Sequence, residues 1–403
     1  MSFNMHGKNA AIIANGAYTV GFAQGGTPGD IKQDADQRIQ DERSFISPPS
    51  DDGPGGPSVP VTPMESVVSQ SGAFVKETAG FGVLLERNGA QKGEYIFAMR
   101  GTMGTFGISN DWLSNYQIGL TRGPSGSLVH SGFMDIYNRM RSDVQRMIKD
   151  ANPQRIHFIG HSLGGALATL AAVDYAQNGT ATSHLYTFGA PRVGSFGLTS
   201  DVVRHVGAER IKRVYSINDP VPMIPLTPFC HVGAGSIGFD GGNGAFSGAA
   251  HSMKDNYIKA MPSSGWPVES RMPSKSDPGY WLTQAEIQLS MTNIGSGLTY
   301  MLLAKALKAI LYMGAHVISA SITVGLTLAD ILVQLIRAGG RLAASIADYM
   351  VRFVKAALKW AGVAVARTVV TAADLTVSFL RWVLDLVMRP ILTAARTAGR
   401  YIT

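Results

Sequence analysis

The pentapeptide Gly160-His161-Ser162-Leu163-Gly164 stands between an apolar run, Arg155-Ile-His-Phe-Ile159, and the small-residue stretch Gly165-Ala-Leu-Ala-Thr-Leu-Ala-Ala172. A serine held between a buried strand and a helix, with glycine two residues away on each side, restricts the backbone to one sharp strand-to-helix turn. The glycines permit the turn, and strain lifts the serine Oγ clear of the main chain. The helix N-terminus supplies N–H groups and partial positive charge where an oxyanion would form. The bare three-residue pattern is weak evidence in a chain with 46 glycines, and the strand before and helix after carry the argument.

Between Thr62 and about Ser264, short apolar runs alternate with helical stretches, which predicts an α/β domain with a mostly parallel sheet. Tyr95–Met99, Arg155–Ile159, Leu185–Phe188 and Arg213–Ile217 read as buried strands, and Phe133–Ile148 and Leu163–Tyr175 as helices. Pro48–Pro63 holds six prolines and three glycines and reads as a linker. The charged stretch Asp30–Arg38 shows no apolar period, so no element is predicted there. The expected organisation is an N-terminal extension with linker over 1–61, an α/β domain over 62–280, and an all-helical region over 281–403.

That last region carries the positive charge. From Ile294 onward there are twelve Lys/Arg against four acids, an excess of eight in a chain whose net charge is +7. Polar residues recur at helical spacing, as in Arg341, Ser345, Asp348, Arg352, Lys355 and Lys359, and leave a broad apolar face. Ala309–Ala329 has no charged residue over 21 positions, long enough to cross a bilayer but diluted by Gly, Ser, Thr and His. Two expectations follow: helices that engage an anionic membrane surface, or helices that pack on one another or cover the α/β domain. No nucleic-acid partner is expected.

The six ordered segments Met99-Arg-Gly-Thr102, Asp111-Trp112, Val129-His-Ser-Gly-Phe133, Gly160–Ala168, Thr187-Phe-Gly-Ala-Pro-Arg-Val-Gly194 and Asn218-Asp-Pro-Val-Pro222 resemble the class 3, or fungal-type, lipases. The resemblance covers roughly residues 62–265. It implies an α/β-hydrolase fold, a Ser-Asp-His triad, and substrates among glycerides, phospholipids and feruloyl esters. No cofactor and no metal are expected, and the basic, apolar-faced tail makes membrane phospholipids the leading substrate, as for a phospholipase A, with neutral glycerides second and feruloyl esters third. Carried over position by position, Ser162 is the nucleophile and Asp219 the acid.

His231 and His251 compete for the base. His251 is preferred, because the family's base lies in a late histidine segment like Ala250-His-Ser-Met-Lys-Asp-Asn-Tyr257. Seven of the sixteen residues from Gly233 to Gly248 are glycine, so placing His251 depends on that loop. The N–H groups of Thr102 and Leu163 would form the oxyanion hole. Met103, Phe106, Ile108 and Trp112 would occupy the place of a lid.

Cys230 is the single cysteine, so no intrachain disulfide forms. Met1–Gly26 has an apolar stretch broken by Asn15, Gly16 and Gln24, which predicts no cleaved signal peptide. The chain is then expected to be made in the cytoplasm and, if exported, to leave by a specialised route and act at a membrane. That combination resembles bacterial lipase toxins delivered by type VI secretion, with an immunity protein or secretion chaperone as partner, and an intracellular lipid-metabolic enzyme is the alternative it leaves open. The competing class is a non-enzymatic, membrane-inserting or pore-forming protein on a hydrolase scaffold.

Overall fold

Strict alternation along β3 (Glu94–Met99) sends Tyr95, Phe97 and Met99 to one apolar core and Ile96 and Ala98 to another. Its neighbour β6 (Arg155–His161) does the same with Ile156 and Phe158 against Ile159. Side chains of period two that are apolar on both faces require cover on both sides of the sheet. The computed structural model describes residues 5–23, 27–41, 61–71, 77–88, 92–101, 119–225, 229–241, 247–267, 277–291, 297–313, 328–363 and 371–398.

Seven strands form the sheet in the order β1 (Val61–Ser71), β2 (Glu77–Arg87), β3, β6, β7 (Thr182–Phe188), β8 (Ile211–Ser216), β9 (Ser236–Phe239). The first three pair antiparallel and the rest parallel. Two short strands, β4 (Leu120–Arg122) and β5 (Leu128–His130), form a separate ribbon. A mostly parallel sheet with helices on both faces and a serine turn after a central strand is the α/β-hydrolase architecture.

One face is covered by α3 (Ser131–Ala151), α4 (Leu163–Asn178) and α5 (Phe196–Val206). The register Phe97–Phe158–Leu185 across three strands fills the space beneath α4, and each such fully buried side chain contributes about 1.5–3 kcal/mol. The other face is covered by α1 (Gly7–Gly16), followed by a 3₁₀ turn (Ala17–Phe22), and by α2 (Pro28–Asp41). Ala10, Ala11, Ile12 and Ile13 are wholly buried there. Asp30–Arg38, without an apolar period, is thus helical after all. It has few apolar positions because only Ile31, Ala35 and Ile39 meet the core, at steps of four.

Five further helices, α6 (Pro278–Met291), α7 (Gly297–Met313), α8 (Leu328–Arg337), α9 (Gly340–Trp360) and α10 (Val377–Ala398), make up the C-terminal region. Their apolar faces share one core, which also takes in Val221, Ile224 and Phe229 of the α/β part. Arg352 on α9 clasps Glu286 of α6, and Arg381 on α10 pairs with Asp330 of α8. Along α9 the polar positions Arg341, Asp348, Lys355 and Lys359 are exposed, while Ile346, Met350, Phe353 and Ala357 are buried. The stripe is the solvated side of a bundle. Among the described residues no helix is long and apolar enough to cross a membrane. Of the uncharged run Ala309–Ala329, residues 314–327 lie outside the described residues, as does 42–60, which holds most of the Pro/Gly-rich linker.

Candidate active site

Three parallel strands in the order β6, β7, β8 end side by side, and the residues just beyond them build the site. After β6, Ser162 adopts φ 56° and ψ −131°, a left-handed conformation that costs a non-glycine residue on the order of 1–3 kcal/mol. It is held there by its own N–H, which donates to the Phe188 carbonyl at 3.0 Å, and by its carbonyl, which accepts from Gly165 N–H at 2.9 Å. The two motif glycines are required by contact. A Cβ on Gly160 would collide with the Gly164 main chain, and one on Gly164 with the Met99 carbonyl. Leu163 is the first residue of α4, where an N–H has no carbonyl within its own helix to bond.

After β8, Asp219 is wholly buried with both oxygens engaged. Oδ1 accepts from Val221 N–H at 2.9 Å, and Oδ2 accepts from His251 Nδ1 at 2.7 Å and from the Tyr257 hydroxyl at 2.6 Å. These three bonds fix the direction of the carboxylate. Tyr257 in turn accepts from Ser216 N–H at 3.1 Å, and burial together with the Asp219 charge pushes its phenol well above the ordinary range. After β7, Gly189 at φ 55° leaves the room this needs, since a Cβ would sit 2.8 Å from both Asp219 Oδ2 and the Tyr257 hydroxyl.

His251 ends a 3₁₀ turn, Gly248–His251, anchored where Asn256 donates to the Ala250 carbonyl. Within the glycine-rich loop, Ser236–Phe239 pairs with β8, which ties the approach to the sheet. Bonding through Nδ1 leaves Nε2 as the basic nitrogen, and among the described residues Nε2 has no hydrogen-bond partner. The ring lies 4.4 Å from that of His161, the residue that precedes Ser162. Ser162 and His251 expose 5% and 1% of their surface, and α10 packs on the turn that carries His251.

The other histidines make different contacts. His231 Nε2 meets the Pro222 carbonyl at 2.6 Å, and burial with the nearby Arg213 and Arg192 charges holds the ring well below the ordinary histidine range. His130 accepts from Gly132 N–H and packs against Phe133 and Phe229, and burial lowers it to about 4. Thr102, Met103, Phe106, Ile108 and Trp112 lie outside the described residues.

Sequence reasoning missed Tyr257 as a partner of Asp219, although it closes the segment that singled out His251. It also missed Tyr18, whose hydroxyl lies 2.7 Å from His161 Nδ1. Nothing in the sequence pointed to Tyr18, because the contact joins residues 143 positions apart.

Residues 96–229 match the family described as Lipase (class 3). Over those residues the chain is similar to the class 3 lipases. A secreted mono- and diacylglycerol lipase 1 of Fusarium solani is 32% identical over 164 residues, 39% of this chain and 47% of that protein. A lipase of Rhizomucor miehei is 36% identical over 119 residues, 28% of this chain and 32% of its own length. A secreted mono- and diacylglycerol lipase A of Penicillium camembertii is 29% identical over 40% of this chain and 52% of that protein. The chain spans about half the length of the first relatives it matches. Among solved structures, a lipase of Yarrowia lipolytica covers 58% of this chain and 77% of its own, at 20% identity and a TM-score of 0.38.

These relatives correct one expectation. The Fusarium and Penicillium proteins are named as secreted, which points to secretion rather than to a cytoplasmic site. The physical ground for that reading was the broken apolarity of Met1–Gly26. In this chain Ala10, Ala11, Ile12 and Ile13 of that stretch face the sheet from α1, so their pattern records packing.

Proposed function

We propose that the chain is a serine ester hydrolase acting on lipids, with Ser162 as nucleophile, His251 as base and Asp219 orienting the base. The observation that carries this reading is the 2.7 Å bond from His251 Nδ1 to a buried Asp219, beside a serine on a strained strand-to-helix turn. His251 Nε2 takes the proton of Ser162 as Oγ attacks the ester carbonyl, and Asp219 stabilises the imidazolium that forms. The N–H groups of Leu163 and Thr102 hold the oxyanion, the alcohol leaves with the proton from His251, and water then hydrolyses the acyl-enzyme.

The names of the mono- and diacylglycerol lipases favour glyceride esters as substrates. A second reading, phospholipid at an anionic membrane surface, is favoured by the excess of eight positive charges after Ile294. Basic residues near such a surface contribute about 1 kcal/mol each and are screened by salt.

Labelling with a serine-directed phosphonate, followed by mass spectrometry, tests the assignment. Modification is expected at Ser162, and an inert Ser162 would revive the non-enzymatic scaffold reading. The choice of histidine is tested separately. His251→Ala is expected to abolish hydrolysis of a soluble ester almost as completely as loss of Ser162, whereas His231→Ala lowers stability and leaves kcat within about tenfold. The opposite ranking would move the base to His231.

A further inference from the structure

Tyr18 belongs to the N-terminal 3₁₀ turn, not to the strand-end loops, yet its hydroxyl reaches the site and lies 2.7 Å from His161 Nδ1. His161 is wholly buried and Tyr18 nearly so. Burial pushes the Tyr18 phenol far above its ordinary range, so it stays a hydroxyl with one hydrogen to give, and the Gly101 main chain donates to it from the other side. A hydroxyl hydrogen given to His161 Nδ1 places the proton of the neutral imidazole on Nε2. Burial holds His161 well below the ordinary histidine range, His251 pushes in the same direction, and the His251 main-chain carbonyl partly opposes them. The His161 and His251 rings lie 4.4 Å apart. Gly101 completes the contact, because a Cβ there would sit 2.7 Å from Ser162 Cβ and collide with the Tyr18 hydroxyl.

We infer that Tyr18 and His161 are positioning residues for the base: the Tyr18 hydroxyl fixes His161 as the neutral Nε2–H form, and that ring supports His251 beside Ser162. The inference rests on the proposed Ser-Asp-His reading. Two things follow from this geometry. A neutral neighbour does not repel the positive charge that His251 acquires when it takes the Ser162 proton. The His161 ring lies 4.4 Å from that of His251, the member of the site that arrives on a glycine-rich loop and most needs lateral support.

The experiment measures kcat and KM on a short-chain p-nitrophenyl ester with full-length protein. Tyr18→Phe keeps the ring and removes only the hydroxyl, and it is expected to lower kcat about ten- to hundredfold with KM within about twofold. His161→Leu falls at least as far. His161→Gln, which can still accept from Tyr18 and donate toward the His251 turn, recovers part of the loss. Because the two residues act through one hydrogen bond, the Tyr18→Phe/His161→Leu pair loses no more than His161→Leu alone. Wild-type kcat in folded Tyr18→Phe, or additive losses in the pair, overturns the proposal. An unfolded Tyr18→Phe together with wild-type kcat in His161→Gln also overturns it, since the pair would then serve packing alone. Ser162→Ala measured in parallel separates the two failures: hydrolysis that survives it sinks the triad reading itself.

Discussion

Ser162→Ala is expected to lower ester hydrolysis by about three or more orders of magnitude while the protein remains folded. The size of the loss follows from what is removed. Without Oγ no acyl-enzyme forms, and what remains is the binding and oxyanion stabilisation that the site offers to water as nucleophile. The fold survives for a local reason. Alanine keeps the Cβ that already sits at φ 56°, so the strain of the turn is unchanged, and the main-chain bonds to Phe188 and from Gly165 do not involve the side chain. The comparison is made by turnover of a soluble ester, circular dichroism and Tm on the same preparations. Substantial residual turnover in verified Ser162→Ala protein would remove the central claim.

A chain cut after Gly279 is expected to aggregate or to lose its α/β part as well as its helices. From the charge pattern alone, such a truncation could equally keep soluble-ester hydrolysis and lose only activity on anionic vesicles. The shared core decides between these outcomes. Val221, Ile224 and Phe229 are at most 5% exposed and are covered by the helical bundle, and α10 packs on the turn that carries His251. Exposing three large apolar side chains costs about 5–8 kcal/mol, a large part of the 5–15 kcal/mol by which a domain is stable. They lie directly after Asp219, so the loss falls on the residues that hold the acid. Size-exclusion chromatography and Tm would report it. A soluble, monomeric truncation with native circular dichroism and undiminished ester hydrolysis would show that the bundle is dispensable, and equal vesicle binding would remove the membrane-surface reading too.

How much of this could be read from residues alone differs from element to element. The strands Tyr95–Met99 and Arg155–Ile159 were legible because both faces of the sheet are covered, which writes a continuous apolar run into the sequence. Helices α3 and α4 were legible for a related reason: each presents an apolar face long enough to show its period, or a run of small residues that packs closely. Their observed ends lie within three residues of the expected ones. Helix α2 was not legible, because it touches the sheet through only a few side chains and exposes the rest. Strands β1 and β2 were also missed. The antiparallel pair has irregular register at Pro63/Glu65 and Val67/Val68, which breaks the period of two that marks a strand.

The site divides in the same way. The serine turn is legible because it is made by five consecutive residues whose glycines are forced by contacts within the turn and with the adjoining strand. Asp219 could be proposed from its position just after a strand, and His251 only by preference over His231. Sequence carries no record of distance across the chain. Tertiary structure decided that Asp219 Oδ2 meets His251 Nδ1 rather than His231, whose nitrogen is taken by the Pro222 carbonyl. It decided that Tyr257 shares that carboxylate, and that Tyr18 comes from the 3₁₀ turn after α1 to bond the residue beside Ser162. It also decided the fate of the basic helical region. The polar stripes of α9 and α10 are written locally, since a helix repeats every 3.6 residues. What the apolar face opposite them touches, a bilayer or Val221, Ile224 and Phe229, is a long-range choice that no local period encodes.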